Sequence, residues 1–335
     1  MTIREQAAQL VMLGINDDLD AGERAALDRT PFGSVLLLGR QNEGTSVLAE
    51  RVATITGGAG PAGIIVAVDQ EGGKVQRISG PGFDTIPPAV DQAELSPAEL
   101  TAAATRWGDQ LAEAGIWLNL APVADTVPAD RVRTNQPIGV LERGYGSDPD
   151  QVAVQVTAFI EGMHAAGVGT SAKHFPNLGD VVGNTDVTGG VSEAVTDAES
   201  PALEPFRAAI ASGTDTVMVS TATYELLDPS RRAAFSPRVI RLLRDTLAYD
   251  GVIISDDLGA AASVSDVPGG ERAVRFISAG GDLAISADPG IAEDMVAELV
   301  AAVDEKPAIA DQIAASALRV VQMKRDRGLT TCVAG

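Results

Sequence analysis

GVIISDDLG, residues 251–259, is the stretch from which the fold of this chain is read. Val252, Ile253 and Ile254 make a short β-branched run, Ser255-Asp256-Asp257 closes it, and the chain turns away through Leu258-Gly259. A brief, uniformly apolar run ended by polar residues is the pattern of a strand buried on both faces. A carboxylate at the C-terminal tip of such a strand is rarely there for packing, because an unpaired buried charge is costly. In a barrel of parallel strands that tip is also where reacting groups are presented. Asp256 is therefore the first candidate for chemistry.

Working outward, seven more runs of strand length are read at residues 10–15, 34–38, 64–68, 117–122, 169–173, 216–220 and 282–286. Between and after them lie Ala- and Leu-rich segments with amphipathic spacing, at 21–29, 45–55, 97–113, 149–166, 201–212, 237–247, 271–279 and 291–303. Ser96-Pro97, Ser236-Pro237 and Asp148-Pro149 each place a capping oxygen before a first-turn proline. Strand and helix in alternation imply parallel strands with right-handed crossovers. Eight such units predict a single-domain α/β protein, a closed (β/α)8 TIM-type barrel spanning 1–335, rather than an open sheet. A last helix is expected at about 309–328. The connections at 72–94 and 125–148 are long, and long connections inside a compact domain are usually functional.

The composition narrows the function classes. With 25 basic against 46 acidic residues the net charge is −21, which excludes nucleic acid and anionic membrane as natural partners. The apolar fraction of 45% is ample for a core. One cysteine, Cys332, allows no internal disulfide and no cysteine-based metal site. The first residues lack the pattern of a signal peptide and no run is long enough to span a membrane, so a cytoplasmic protein is expected, or an exported one whose signal has been removed. The sequence leaves the oligomeric state open.

The strand tips share a chemical bias. Residues 64–68 lead into Asp69-Gln70-Glu71, 117–122 into Asp125, 169–173 into Lys173-His174, and 252–255 into Asp256-Asp257. Any one acidic tip could cap the helix that follows. Four at the same end of one sheet point to a shared polar pocket.

AVDQEGGKVQRI (67–78), AKHFPNLGD (172–180) and IISDDLG (253–259) resemble the three signature blocks of glycoside hydrolase family 3, and in particular its single-domain β-N-acetylglucosaminidase branch. NLAPVAD (119–125), the stretch Arg143-Gly144-Tyr145 before Asp148-Pro149, and the closing segment 320–328 are similar as well. The likeness runs over nearly the whole chain, which ends before the further α/β domain of related β-glucosidases. It implies a retaining glycosidase removing a terminal β-linked N-acetylglucosamine from a glycan such as a peptidoglycan fragment, without cofactor. It casts Asp256 as nucleophile and Asp257 as structural or a helix cap. It places Asp69, Arg77, Arg143, Lys173 and His174 on the sugar. That set is chemically sensible, since carboxylates accept from hydroxyls while Arg, Lys and His donate to them. The cations are also expected to keep Asp256 ionised.

The resemblance breaks at one loop. The branch runs KHFPGHGDT and then carries an Asp-Ser-His triplet whose Asp and His form the acid/base dyad; this chain reads KHFPNLGDVVGNTDVTGG over 173–190. Asn177 and Leu178 replace Gly and His, and the triplet falls on Asn184-Thr185-Asp186. Three readings follow: Asp186 is the acid/base, its pKa raised by burial or by Asp256; a neighbour such as Asp180 donates instead; or the barrel binds sugar without cleaving it. A different sugar preference, glucoside or xyloside, is a further alternative. The Gly183-Asn184 turn suggests a loop able to close over substrate.

Two other readings are weaker. No His- or Cys-rich cluster has metal-ligand spacing, so no metal is expected. A phosphate-handling aldolase would need a Schiff-base lysine, for which Lys173 could serve, but 282–286 leads into the acidic Ala287-Asp288-Pro289-Gly290. His164 is read as a helix residue without a role, and His174 not as a proton donor.

Overall fold

The computed structural model describes residues 1–16, 21–58 and 60–330; Cys332 lies outside them, as does the C-terminal end of the predicted 1–335 domain. Eight strands form one closed barrel: β1 (Val11–Ile15), β2 (Ser34–Leu37), β3 (Ile65–Val68), β4 (Leu118–Asn119), β5 (Gly169–Phe175), β6 (Thr216–Val219), β7 (Val252–Asp257) and β8 (Leu283–Ser286). Each pairs in parallel with its sequence neighbours, and β1 pairs with β8 through Val11–Ala284, Met12–Ile285 and Leu13–Ser286. All eight expected runs are strands. Their residues are buried almost throughout, as uniform apolar runs require when helices cover the outside and side chains fill the inside.

Around the barrel run α1 (Ile3–Gln9), α2 (Ala21–Arg29), α3 (Thr45–Gly57), α4 (Pro97–Glu113), α5 (Pro149–Ala165), α6 (Glu204–Ala211), α7 (Pro237–Arg241), α8 (Gly269–Ala279), α9 (Pro289–Glu305) and α10 (Ala308–Asp326). The anticipated caps are in place. Ser96 Oγ accepts the Glu99 N–H at 3.3 Å while Glu99 accepts the Ser96 N–H at 2.9 Å. Asp148 accepts from Asp150 N–H, and Ser236 from Val239 N–H. Where the helices differ from expectation, the difference is local. The stretch 201–212 opens as a 3₁₀ turn at Pro201–Leu203, and 237–247 relaxes into a π turn over Leu242–Thr246.

Helix α1 has no counterpart in the sequence reading. It is short, but a capping box fixes it: Thr2 Oγ1 accepts the Glu5 N–H while Glu5 accepts the Thr2 N–H at 2.6 Å. It packs against α10. His164 also needs correction, because it is not idle. Its Nε2 lies 2.9 Å from Asp215 Oδ2, and Asp215 in turn accepts the Thr170 N–H and pairs with Arg327 at 2.7 Å.

Strand β4 is two residues long; the chain then passes through the cis Ala121-Pro122 bond, and Val123 bridges to Lys173. Among the described residues no helix is long and apolar enough to cross a membrane.

Candidate active site

Strand β3 sets the first wall of the site. After Val68 the chain enters a two-stranded ribbon, Gln70–Gly72 against Val75–Gln76, turned by Gly72 and Gly73 at φ +107° and +54°. Only glycine adopts such angles cheaply. A Cβ on Gly72 would also sit 2.3 Å from the Pro87 carbonyl oxygen. The ribbon brings Asp69, Glu71 and Arg77 to the barrel mouth. Asn119 of β4 holds its base: its Oδ1 accepts the Gln70 N–H at 3.0 Å and its Nδ2 donates to the Gln70 carbonyl at 3.1 Å.

At the tip of β5, Lys173 is buried between two carboxylates, its Nζ 2.7 Å from Asp69 Oδ1 and 2.5 Å from Glu71 Oε1. Arg143, from the long connection after β4, clasps Glu71 in a fork, Nε to Oε2 and Nη2 to Oε1, both at 2.8 Å. Burial alone would raise the Glu71 carboxyl, but Arg143 and Lys173 outweigh it and bring it down to about 2. Burial would likewise lower Lys173, yet Asp69 and Glu71 prevail and raise it. A lysine held charged in this way is unsuited to Schiff-base chemistry. Asp288, which would have to cradle a phosphate, instead accepts the Gly290 and Ile291 N–H groups at the start of α9.

His174 is fixed by Asp125. The Asp125 carboxylate lies 2.7 Å from His174 Nδ1 and accepts the backbone N–H groups of His174, at 3.2 Å, and Leu178, at 2.6 Å. With Nδ1–H given to Asp125, Nε2 is the nitrogen left for the cavity, 3.4 Å from Arg143 Nη2. Asp125 and Glu71 stood among the polar strand tips but were given no role on the sugar or in the reaction. For Glu71 a signal existed: two residues from Asp69 in an extended segment, it lies on the same face.

Asp256 stands near the end of β7, and its Oδ1 accepts the Asp257 N–H at 2.9 Å. Asp257 is structural, as expected: its oxygens accept from Gly259, Ala260 and Ala287 N–H groups at 2.8 to 2.9 Å. The surrounding cations do not hold the Asp256 carboxyl down as expected. Lys173 and Arg143 are taken by Asp69 and Glu71, so burial dominates and lifts the Asp256 carboxyl to about 6; His174 opposes the rise and Asp186 adds to it.

The loop after β5 presents Asp186. Its neighbours there, Asn177 and Leu178, have turned inward. Asn177 Oδ1 accepts the Thr126 N–H at 3.0 Å and its carbonyl accepts from Tyr224 Oη at 2.7 Å, while Leu178 is buried. Asp180 does not reach the cavity. It pairs with Arg131 at 3.2 Å and receives Asn177 Nδ2 at 3.4 Å, and it is not among the residues that line the cavity.

One cavity of about 350 Å³ at the C-terminal mouth is lined by Asp69, Arg77, Arg143, Lys173, His174, Asp186 and Asp256 together. Every residue expected at the site therefore meets there. Arg77 differs from the other two basic side chains: its Nε is buried without a partner, and its guanidinium has no carboxylate partner among the described residues. Leu36, Leu120, Met218 and Ile285 supply an apolar floor. Among the described residues no group of three or more His, Cys, Asp or Glu side chains is placed to hold a metal ion.

A closed parallel barrel with carboxylates on separate strand tips around a sugar-sized cavity is a glycosidase barrel in its architecture. The chain belongs to glycosyl hydrolase family 3: residues 2–323 match the Glycosyl hydrolase family 3 N terminal domain. It is 33% identical over 304 residues to a beta-hexosaminidase of Xanthomonas oryzae pv. oryzae, covering 88% of this chain and 87% of that protein. A beta-hexosaminidase of Stenotrophomonas maltophilia is 32% identical over 295 residues, 85% of each chain. The crystal structure of a beta-N-acetylhexosaminidase from Beutenbergia cavernae superposes with a TM-score of 0.94 at 42% identity, covering 97% of this chain and 99% of that one.

Proposed function

We propose that this chain is a retaining β-N-acetylhexosaminidase that removes a terminal β-linked N-acetylglucosamine, with Asp256 as nucleophile and Asp186 as acid/base. The relatives named beta-hexosaminidase, matched over most of both chains, support the activity. The observation that carries the residue roles is one cavity holding Asp256, from the end of β7, and Asp186, from the loop after β5, with the Asp69, Arg143, Lys173 and His174 set around them.

In the reaction, the ionised Asp256 carboxylate attacks C1 while protonated Asp186 gives its proton to the glycosidic oxygen, and the aglycone leaves as an alcohol. Asp186, now a carboxylate, takes a proton from water. The hydroxide equivalent attacks C1 and releases Asp256, and both carboxyls return to their starting states. The hydroxyls of the ring meet the Asp69 carboxylate and the cations. Because Lys173 and Arg143 are already paired through Glu71, they are held in fixed positions before the sugar arrives. Peptidoglycan fragments fit as the source of such a terminus.

A fluorogenic β-N-acetylglucosaminide assayed beside the β-glucoside and β-xyloside tests the reading: turnover of the first, well above the others, is expected. Tight sugar binding with no turnover of any of them would leave a sugar-binding barrel. Asp256→Ala should abolish activity, with partial return in added azide; near-normal turnover in that variant would remove Asp256 from the mechanism.

A further inference from the structure

Asp186 sits on an exposed turn, yet both polar groups of its backbone are held. Its N–H donates to Asn184 Oδ1 at 3.0 Å, an Asx turn, and the Asn184 carbonyl accepts the N–H groups of Val187 at 3.2 Å and Thr188 at 2.8 Å. On the other side, the Asp186 carbonyl accepts the Ala262 N–H at 3.0 Å and the Thr185 carbonyl accepts the Ser263 N–H at 3.1 Å. Those two donors belong to the connection after β7, the strand that carries Asp256. That connection is pinned in turn by a buried hydroxyl pair, Ser263 Oγ to Thr221 Oγ1 at 2.8 Å, and Thr221 follows β6. Loops after three successive strands are thus linked by hydrogen bonds from Thr221 through Ser263 to residues 185 and 186.

We infer that Asn184, Ser263 and Thr221 are positioning residues, a clamp that fixes the Asp186 carboxylate at the cavity with Asp256 before substrate arrives. The inference rests on the reading of Asp186 as acid/base. Asn184 stands where the branch carries the Asp of its dyad, and its amide oxygen is used here to shape the turn. Proton transfer needs a donor held within hydrogen-bond reach of the leaving oxygen, and a donor on a loose turn would lose that geometry. The clamp acts only through residue 186, so its loss should resemble loss of the acid.

The test compares two β-N-acetylglucosaminides, one with an alkyl leaving group that needs protonation and one with 2,4-dinitrophenolate, which does not. Thr221→Val with Ser263→Ala removes the hydroxyl pair without stranding either member. It should lower kcat/KM, which reports the glycosylation step, about tenfold on the alkyl glycoside, as loss of one well-made hydrogen bond allows, and leave kcat/KM of the activated substrate within about twofold. Turnover of the activated substrate also reports that the variant has folded. Asn184→Ala, at the exposed turn, should give the same split while leaving the buried pair intact, and Thr221→Ser should restore wild-type behaviour. Combined with Asp186→Asn, the clamp variants should add no further loss. Equal losses on both substrates, or additive losses with Asp186→Asn, overturn the clamp. Asp186→Asn in the intact clamp is read separately. If it shows no leaving-group dependence, the acid/base reading has failed and the clamp falls with it; if it does and the clamp variants do not, the clamp alone is wrong.

Discussion

Asp256 lines the cavity, Glu71 bonds the Lys173 and Arg143 side chains that line it, and the two carboxyls are pushed in opposite directions; the difference lies in which of them has the cations. Glu71 has Arg143 and Lys173 within bonding distance and is brought down to about 2; Asp256 has neither and is lifted to about 6. In the unfolded chain Asp256 titrates near 3.8, so folding favours its protonated form. Its stabilising contribution is complete below about pH 3.8 and lost as pH rises through about 6. Asp256→Asn should therefore be more stable than wild type at pH 7.5, by about 1–2 kcal/mol once its partial exposure is allowed for, and the difference should close by pH 4. Thermal melts at the two pH values check this; a variant less stable at pH 7.5 would contradict it. A nucleophile must be ionised, so kcat/KM should fall on the acid side with a midpoint near 6. Glu71 works in the other direction: its contribution is present above its ordinary value of 4.5 and lost as pH falls toward about 2. Glu71→Gln leaves Lys173 and Arg143 short of a buried partner and should cost about 3–5 kcal/mol, read as a lowered melting midpoint at pH 7. An unchanged midpoint would mean that the two cations find other partners.

At the scale of elements, the sequence was most legible where burial leaves one solution. Runs such as 252–255 and 216–220 are apolar on both faces, and only a parallel strand under helices accepts that. The caps at Ser96, Asp148 and Ser236 were legible for the same reason, since each satisfies a local hydrogen-bond demand. The ribbon after β3 was not, because its two short strands have no apolar period and exist through the Gly72-Gly73 turn and the Asn119 and Gln70 side chains. The pairing of Glu71 with Lys173 and Arg143 depends on residues far apart in the chain, so no local pattern announces it. The ribbon offers a direct check. Gly72→Ala places a side chain at φ +107° and against the Pro87 carbonyl, and should cost about 1–3 kcal/mol while displacing Asp69 and Glu71. Loss of activity together with a lower melting temperature is expected; wild-type values for both would show that the ribbon does not set the site.

Across the whole molecule the two ends of the barrel divide the work. The C-terminal mouth collects the carboxylates and cations, as the repeated acidic strand tips suggested, while the opposite end is tied together by contacts that the sequence did not disclose. Asp215, just before β6, is the centre of that second set. One oxygen accepts the Thr170 N–H at 3.0 Å and faces His164 Nε2 at 2.9 Å; the other takes Arg327, just beyond α10, at 2.7 Å. Burial would raise the Asp215 carboxyl, but His164 and Arg327 hold it below its ordinary value. Three segments distant in sequence thus depend on one carboxylate. Asp215→Asn keeps the volume but replaces one acceptor oxygen by a donor, which must then face a donor already present. It should cost about 2–3 kcal/mol and speed amide hydrogen exchange in α10 far more than in β7, since only the former is anchored through Arg327. Turnover of an activated glycoside at a temperature well below the melt should stay near wild type, because Asp215 lies outside the reactive cavity. If exchange in β7 rose as much as in α10, the network would be stabilising the barrel as one unit instead of fastening its last helix.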